Sequence, residues 1–106
     1  MAAFATIDEK VAFATDKMTK CNVFDGHHMF CDVYCFEPGQ TQKPHAHPGS
    51  DKVYCVIEGT ADVQIGAETR RLESGGLAHA AAGVDHGVSN PGPERLKVLV
   101  FMAPKP

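Results

Sequence analysis

The chain has 106 residues, 43% hydrophobic and 22% charged, and a formal net charge of −3 from 10 basic and 13 acidic residues. That size suits one domain with a modest core, and a slightly acidic chain without a basic cluster argues against a nucleic-acid partner. No run approaches the roughly 20 apolar residues that span a bilayer, and the N-terminal MAAFATIDEKVAF lacks the charged and apolar regions of a secretory signal, so no membrane partner and a cytoplasmic location are expected.

In chain order, Thr6-Ile7-Asp8-Glu9 fits a capping box and predicts a short helix across about Ile7 to Phe13, although Val11 and Phe13 would suit a strand equally well. Asp25-Gly26 reads as a hairpin turn between strands at Lys20–Phe24 and His28–Phe36. Pro38-Gly39 then breaks the chain, and His45–His47 follows on a short extended piece. Lys52–Ile57 is the next strand, ending at Glu58-Gly59. Ala61–Ile65 alternates apolar and polar, as a half-buried strand does. Further strands are expected at Thr69–Leu72, Leu77–Ala81, before Asn90, and at Leu96–Met102. Short strands divided by tight turns, with no alternation of helix and strand, predict an all-β sandwich or barrel.

On the strand after Gly26, Phe30, Tyr34 and Phe36 share one face and Cys31, Val33 and Cys35 the other. Two apolar faces predict core on one side and a partner subunit on the other, hence a homodimer. Cys31 and Cys35 are about 13 Å apart along such a strand, too far to bridge. With Cys21 and Cys55 they are read as reduced, small core residues.

The chemistry-bearing residues are histidines. At positions i and i+2 of an extended strand, His45 and His47 face one side about 6.5–7 Å apart, so both imidazoles can reach one ion. A third ligand is needed, and His27, His28, His79 and His86 are the candidates. No GxSxG elbow, phosphate-binding glycine loop or paired-carboxylate site is recognisable.

Glycines frame these histidines at fixed spacings. Gly39, His45, His47 and Gly59 lie in GQTQKPHAHPGSDKVYCVIEG; Gly75, Gly83, His86 and Asn90 lie in GGLAHAAAGVDHGVSN. The two stretches resemble the paired motifs of the cupin superfamily, and the likeness covers about residues 37–102. The resemblance implies a jelly-roll β-barrel, one cupin domain over 1–106, with a single divalent metal (iron, nickel, manganese or zinc) in its mouth. It makes His45, His47 and His86 the ligands.

Two positions depart from the motifs. Ala81 replaces a proline, and Lys52 stands where the family has a glutamate ligand. Protonated lysine cannot coordinate, and Asp51 one residue earlier points to the opposite face unless a bulge intervenes at Gly49–Asp51. A three-histidine site is therefore expected. Continuing the register places Lys52 and Tyr54 as pocket residues. Lys52 either pairs with a substrate carboxylate or enolate, or snorkels to the barrel rim. The resemblance then implies a mononuclear, dioxygenase-like metalloenzyme acting on a small organic substrate. The alternatives are a non-catalytic ligand-binding or sensing barrel, and a sugar or keto-acid isomerase.

Overall fold

Alternating β-branched and aromatic residues, cut by Gly, Pro and Asp, form nine antiparallel strands and one short helix among residues 3–106, which the computed structural model describes. The helix α1 (Ile7–Lys10) starts at the capping box: the Thr6 amide donates to Glu9 Oε1 at 3.0 Å and the Glu9 amide to Thr6 Oγ1 at 3.4 Å. It stops at Lys10 rather than Phe13, because Val11 is already extended.

The strands are β1 (Thr19–Asp25), β2 (Phe30–Phe36), β3 (Thr41–His45), β4 (Asp51–Glu58), β5 (Thr60–Ile65), β6 (Glu68–Glu73), β7 (Leu77–Ala80), β8 (His86–Ser89) and β9 (Leu96–Ala103). One sheet has the order β1-β2-β9-β4-β7 and the other β3-β8-β5-β6. The two face each other as a jelly-roll sandwich. Tyr34, Phe36, Tyr54, Val56, Val98 and Val100 come inward from the first sheet and meet Ala61, Val63 and Val88 from the second. The first hairpin differs from expectation at one end. The Gly26 amide donates to Met29 O at 2.8 Å, so a wider turn carries His27 and His28 in an exposed loop and β2 begins at Phe30.

The second face of β2 also needs a correction. Cys31, Val33 and Cys35 are buried within the single chain, without a partner subunit. The segment after α1 crosses the Cys35 end of that face: Thr19 Oγ1 and Cys21 Sγ both turn to Ala12 O, and Gln40 Nε2 donates to Ala14 O at 2.8 Å. The Arg95 guanidinium lies 4.3 Å from the Phe13 ring centroid, fastening the same segment. All four cysteines are free thiols.

The motif glycines and asparagine hold turns. Gly59 has φ +90°, and a Cβ there would sit 2.4 Å from Arg95 O, so the β4–β5 turn admits only glycine. Asn90 is buried; its Nδ2 donates to Phe36 O at 3.1 Å and Glu94 O at 2.8 Å, and its Oδ1 accepts from the Gly92 amide at 2.8 Å. It ties the end of the His86 strand to the end of β2.

Candidate metal centre

His45 ends β3 and His86 begins β8, and the two are register partners across the four-stranded sheet. His47 lies just beyond β3, so it is not a strand residue as the spacing suggested. Its carbonyl accepts the Gly83 amide at 2.9 Å, which pins it to the turn that precedes His86. The three rings converge, with centroids 4.5 Å apart for His45 and His86, 4.8 Å for His45 and His47, and 5.4 Å for His47 and His86. One nitrogen from each lies within 4.8 Å of the others, a spacing able to close on one metal ion.

Backbone carbonyls orient two of the rings. His45 Nδ1 lies 3.0 Å from Lys43 O, and His86 Nδ1 lies 2.9 Å from Val84 O. A carbonyl accepts only, so each Nδ1 carries the proton and each Nε2 keeps its lone pair. His86 Nε2 is buried with no hydrogen-bond partner. Burial is the main cause that pushes the His86 pKa down to about 4; Lys52 and the other two histidines add to it, and the bond to Val84 opposes it. Burial, then Lys52, His45 and Lys20, also lowers His47. Neutral rings with free lone pairs are what a metal requires.

Lys52 faces inward, as the register implied, and does not snorkel: it is 1% exposed. Its ammonium lies 5.1 Å from the Tyr34 ring centroid and 5.3 Å from that of Tyr54, a double cation–π contact. Burial, with Lys20 adding and Asp32 opposing, brings its pKa down to about 8. Tyr54 lies alongside, its ring 6.0 Å from that of His86, and burial raises its hydroxyl pKa. Asp51 faces out, as parity required, because β4 runs without a bulge there. It accepts the Ala82 amide at 3.0 Å and contacts exposed His79 Nε2 at 3.2 Å, which accounts for both residues outside the site.

Gln42 was missed in the sequence. It is 7% exposed, and its Oε1 accepts the Tyr54 hydroxyl at 3.0 Å. Three residues before His45, it should face the other way on a regular strand. The register of β3 against β8 shifts between Gln42 and His45, and that irregularity lets both point inward. Pro44 was the available signal, since proline within a strand marks an edge or a bulge, and β3 is an edge strand. Gly87 completes the arrangement: a Cβ there would meet Gln42 O at 2.9 Å and Pro44 N at 3.0 Å, so β8 can lie this close to the irregular stretch only with glycine after His86.

Comparison with known proteins agrees with this architecture. The family model for the cupin domain matches residues 32–102. The crystal structure of TT1209 from Thermus thermophilus superposes with a TM-score of 0.95 at 39% identity, covering 99% of this chain and 100% of that one. An uncharacterized protein of Streptomyces coelicolor is 37% identical over 78 residues, 72% of this chain and 70% of its own. The tetracenomycin polyketide synthase protein TcmJ of Streptomyces glaucescens is 33% identical over 67 residues, 63% of this chain and 45% of its own. The chain belongs to the cupin family, and its three histidines form a group that could hold a metal ion.

Proposed function

We propose that this cupin holds one divalent first-row metal on His45, His47 and His86 and acts on a small organic substrate as a three-histidine, dioxygenase-like mononuclear enzyme. The observation that carries the reading is the buried, unpartnered Nε2 of His86, facing two more imidazoles across less than 4.8 Å. An unpaired buried acceptor costs stability unless something binds it. A bound ion would supply Lewis acidity and open coordination positions for substrate. The chain contributes the rest. Val84 O and Lys43 O fix two tautomers, the Gly83 amide fixes the backbone of His47, and Tyr54 walls the site beside His86.

No carboxylate belongs to the histidine cluster among the described residues, which leaves more of the coordination sphere to substrate than a site with a glutamate would. Imidazole donors suit iron, nickel and zinc, and manganese remains in the set because availability also decides occupancy. A homodimer is retained on the same outer face of the five-stranded sheet that carries Cys31 and Val33, displaced from β2 towards β9, β4 and β7. Val53, Cys55, Leu77, Leu99 and Phe101 share the outer face of the five-stranded sheet by register, with Leu77 66% and Phe101 37% exposed.

Elemental analysis of untagged protein tests the metal reading. About one ion per chain is expected, and His86→Ala should lose it while circular dichroism still reports a folded barrel. Protein that stays metal-free after reconstitution with each of the four ions overturns it. A second reading, a metal-free barrel that captures or senses a small ligand, then takes its place. Lys52 favours that alternative, since a buried ammonium near the histidines opposes a second cation.

A further inference from the structure

The charges that bear on the inner site differ in balance from those of the chain as a whole. The whole protein is at −3, yet the charged groups acting on His47, His86 and Lys52 are Lys20, Lys52 itself and one carboxylate, Asp32. Asp32 makes no ion pair with Lys52 and accepts Asn22 Nδ2 at 2.9 Å. Lys52 rests on two aromatic faces, which attract a cation without accepting its hydrogen bonds. With a pKa of about 8 it remains mostly protonated at neutral pH, and a desolvated ammonium without an anionic partner is costly.

A second donor in the same place lacks a partner. Gln42 Nε2 is buried with no acceptor. The Tyr54 hydroxyl orients it by donating to Gln42 Oε1 at 3.0 Å, while the Tyr34 hydroxyl lies towards the N–H side of the same amide. The oxygen of the amide is therefore spoken for, and its Nε2, with two N–H groups, makes no hydrogen bond. A buried ammonium and a buried amide donor, joined through two tyrosine rings and bordering three imidazoles, share one unmet need. Each lacks an oxygen acceptor, and the ammonium favours one that carries negative charge.

We propose that Lys52 and Gln42 form the receptor for an anionic oxygen of the substrate, a small organic carboxylate or enolate, and that this pair makes the site select anions over neutral analogues. The assignment deepens the metalloenzyme reading by naming its substrate class, and it rests on that reading only for the ion beside the pair. The pair replaces the carboxylate that the cupin motif would place at position 52 with a cation. A site that would otherwise hold its metal with a protein anion thereby leaves the anion to the substrate.

The test is calorimetric titration of zinc-reconstituted and of metal-free protein with pyruvate, benzoate and pentane-2,4-dionate, each against a neutral counterpart such as pyruvamide or benzamide. At least one anion is expected to bind about tenfold or more tightly than its neutral counterpart. Lys52→Met and Gln42→Leu should each erase most of that preference without loss of zinc. Gln42→Glu, which keeps an oxygen for the tyrosines but replaces the free donor with a carboxylate, should reject the anions as well. Equal binding of anions and neutral analogues, no binding of any anion, or full anion binding by the folded variants overturns the proposal. Zinc content is read separately, so a wild-type protein that takes no zinc sinks the metal reading, while titration of the metal-free protein still decides the anion pair.

Discussion

The two ends of the barrel interior are built on the same strands and have opposite characters. Inward positions along β2 read Asp32, Tyr34, Phe36, and along β4 they read Lys52, Tyr54, Val56. Each strand passes from charge through a tyrosine to a plain apolar side chain within five residues. Between them β9 stays apolar throughout, with Leu96, Val98, Val100 and Met102 inward. The Phe36–Val56–Leu96 end stabilises the fold by apolar burial, and the buried polar side chain beside it, Asn90, has its hydrogen bonds met by the chain. The other end, with Lys52, Gln42 and His86, buries polar groups whose partners the chain does not fully supply. Stability and site thus occupy one cavity, divided by a belt of tyrosines that are apolar on their faces and polar at their tips.

Breaking the apolar end should have the largest effect. Phe36→Ala should cost about 3–5 kcal/mol in denaturant unfolding, enough to unfold much of a small domain. A loss below about 1 kcal/mol would show that this end is not where stability resides. Gly87→Ala comes next, at roughly 1–3 kcal/mol, because the added methyl must displace Gln42 O and Pro44. It should also weaken metal binding by moving His45, which a purely structural defect elsewhere would not do; unchanged metal affinity would remove Gly87 from the support of the site.

Lys52→Met sharpens the contrast by changing sign. Burial lowers the Lys52 pKa to about 8, so folding disfavours the protonated form. Removing the charge should stabilise the protein at pH 7 by roughly 1–2 kcal/mol once the lost cation–π contact is subtracted. The unfolded chain binds more protons than the folded one between about pH 8 and the ordinary lysine value of 10.5, so wild-type stability should rise with pH across that window. The advantage of the variant should shrink in step. A destabilised Lys52→Met, or an advantage flat with pH, would mean the ammonium has a partner that stabilises it. Asp51→Ala should do least: metal content and anion binding should match wild type, because the carboxylate serves the Ala82 turn outside the cavity. Loss of metal in that variant would return Asp51 to the site.

Much of this is legible in the sequence. Glycines at turns and alternating residues between them mark the strands, and two-residue periodicity correctly sent Lys52 inward and Asp51 outward. The histidine cluster followed from spacing and from the family likeness. What stayed hidden lacks a period. The segment that packs across β2 through Ala12, Phe13 and Ala14 is coil, so nothing in it announces a docked surface, and the buried cysteines of β2 looked like an interface with another chain. Depth was hidden too: alternation gives the side of a sheet but not whether Lys52 stops at the rim or lies 1% exposed between two tyrosines. Gln42 escaped because a counting rule fails across an irregular register.

That irregularity gives β3 two reading frames. Up to Gln42 the strand follows one parity, and from His45 it follows the other, with Lys43 and Pro44 absorbing the difference. The consequence is modularity: the Gln42 half and the His45 half of a five-residue strand can change sequence independently, each constrained only by its own frame. Regularising the strand at the present three-residue spacing would turn either Gln42 or His45 outward, so in this barrel the irregularity between the two is itself a functional element.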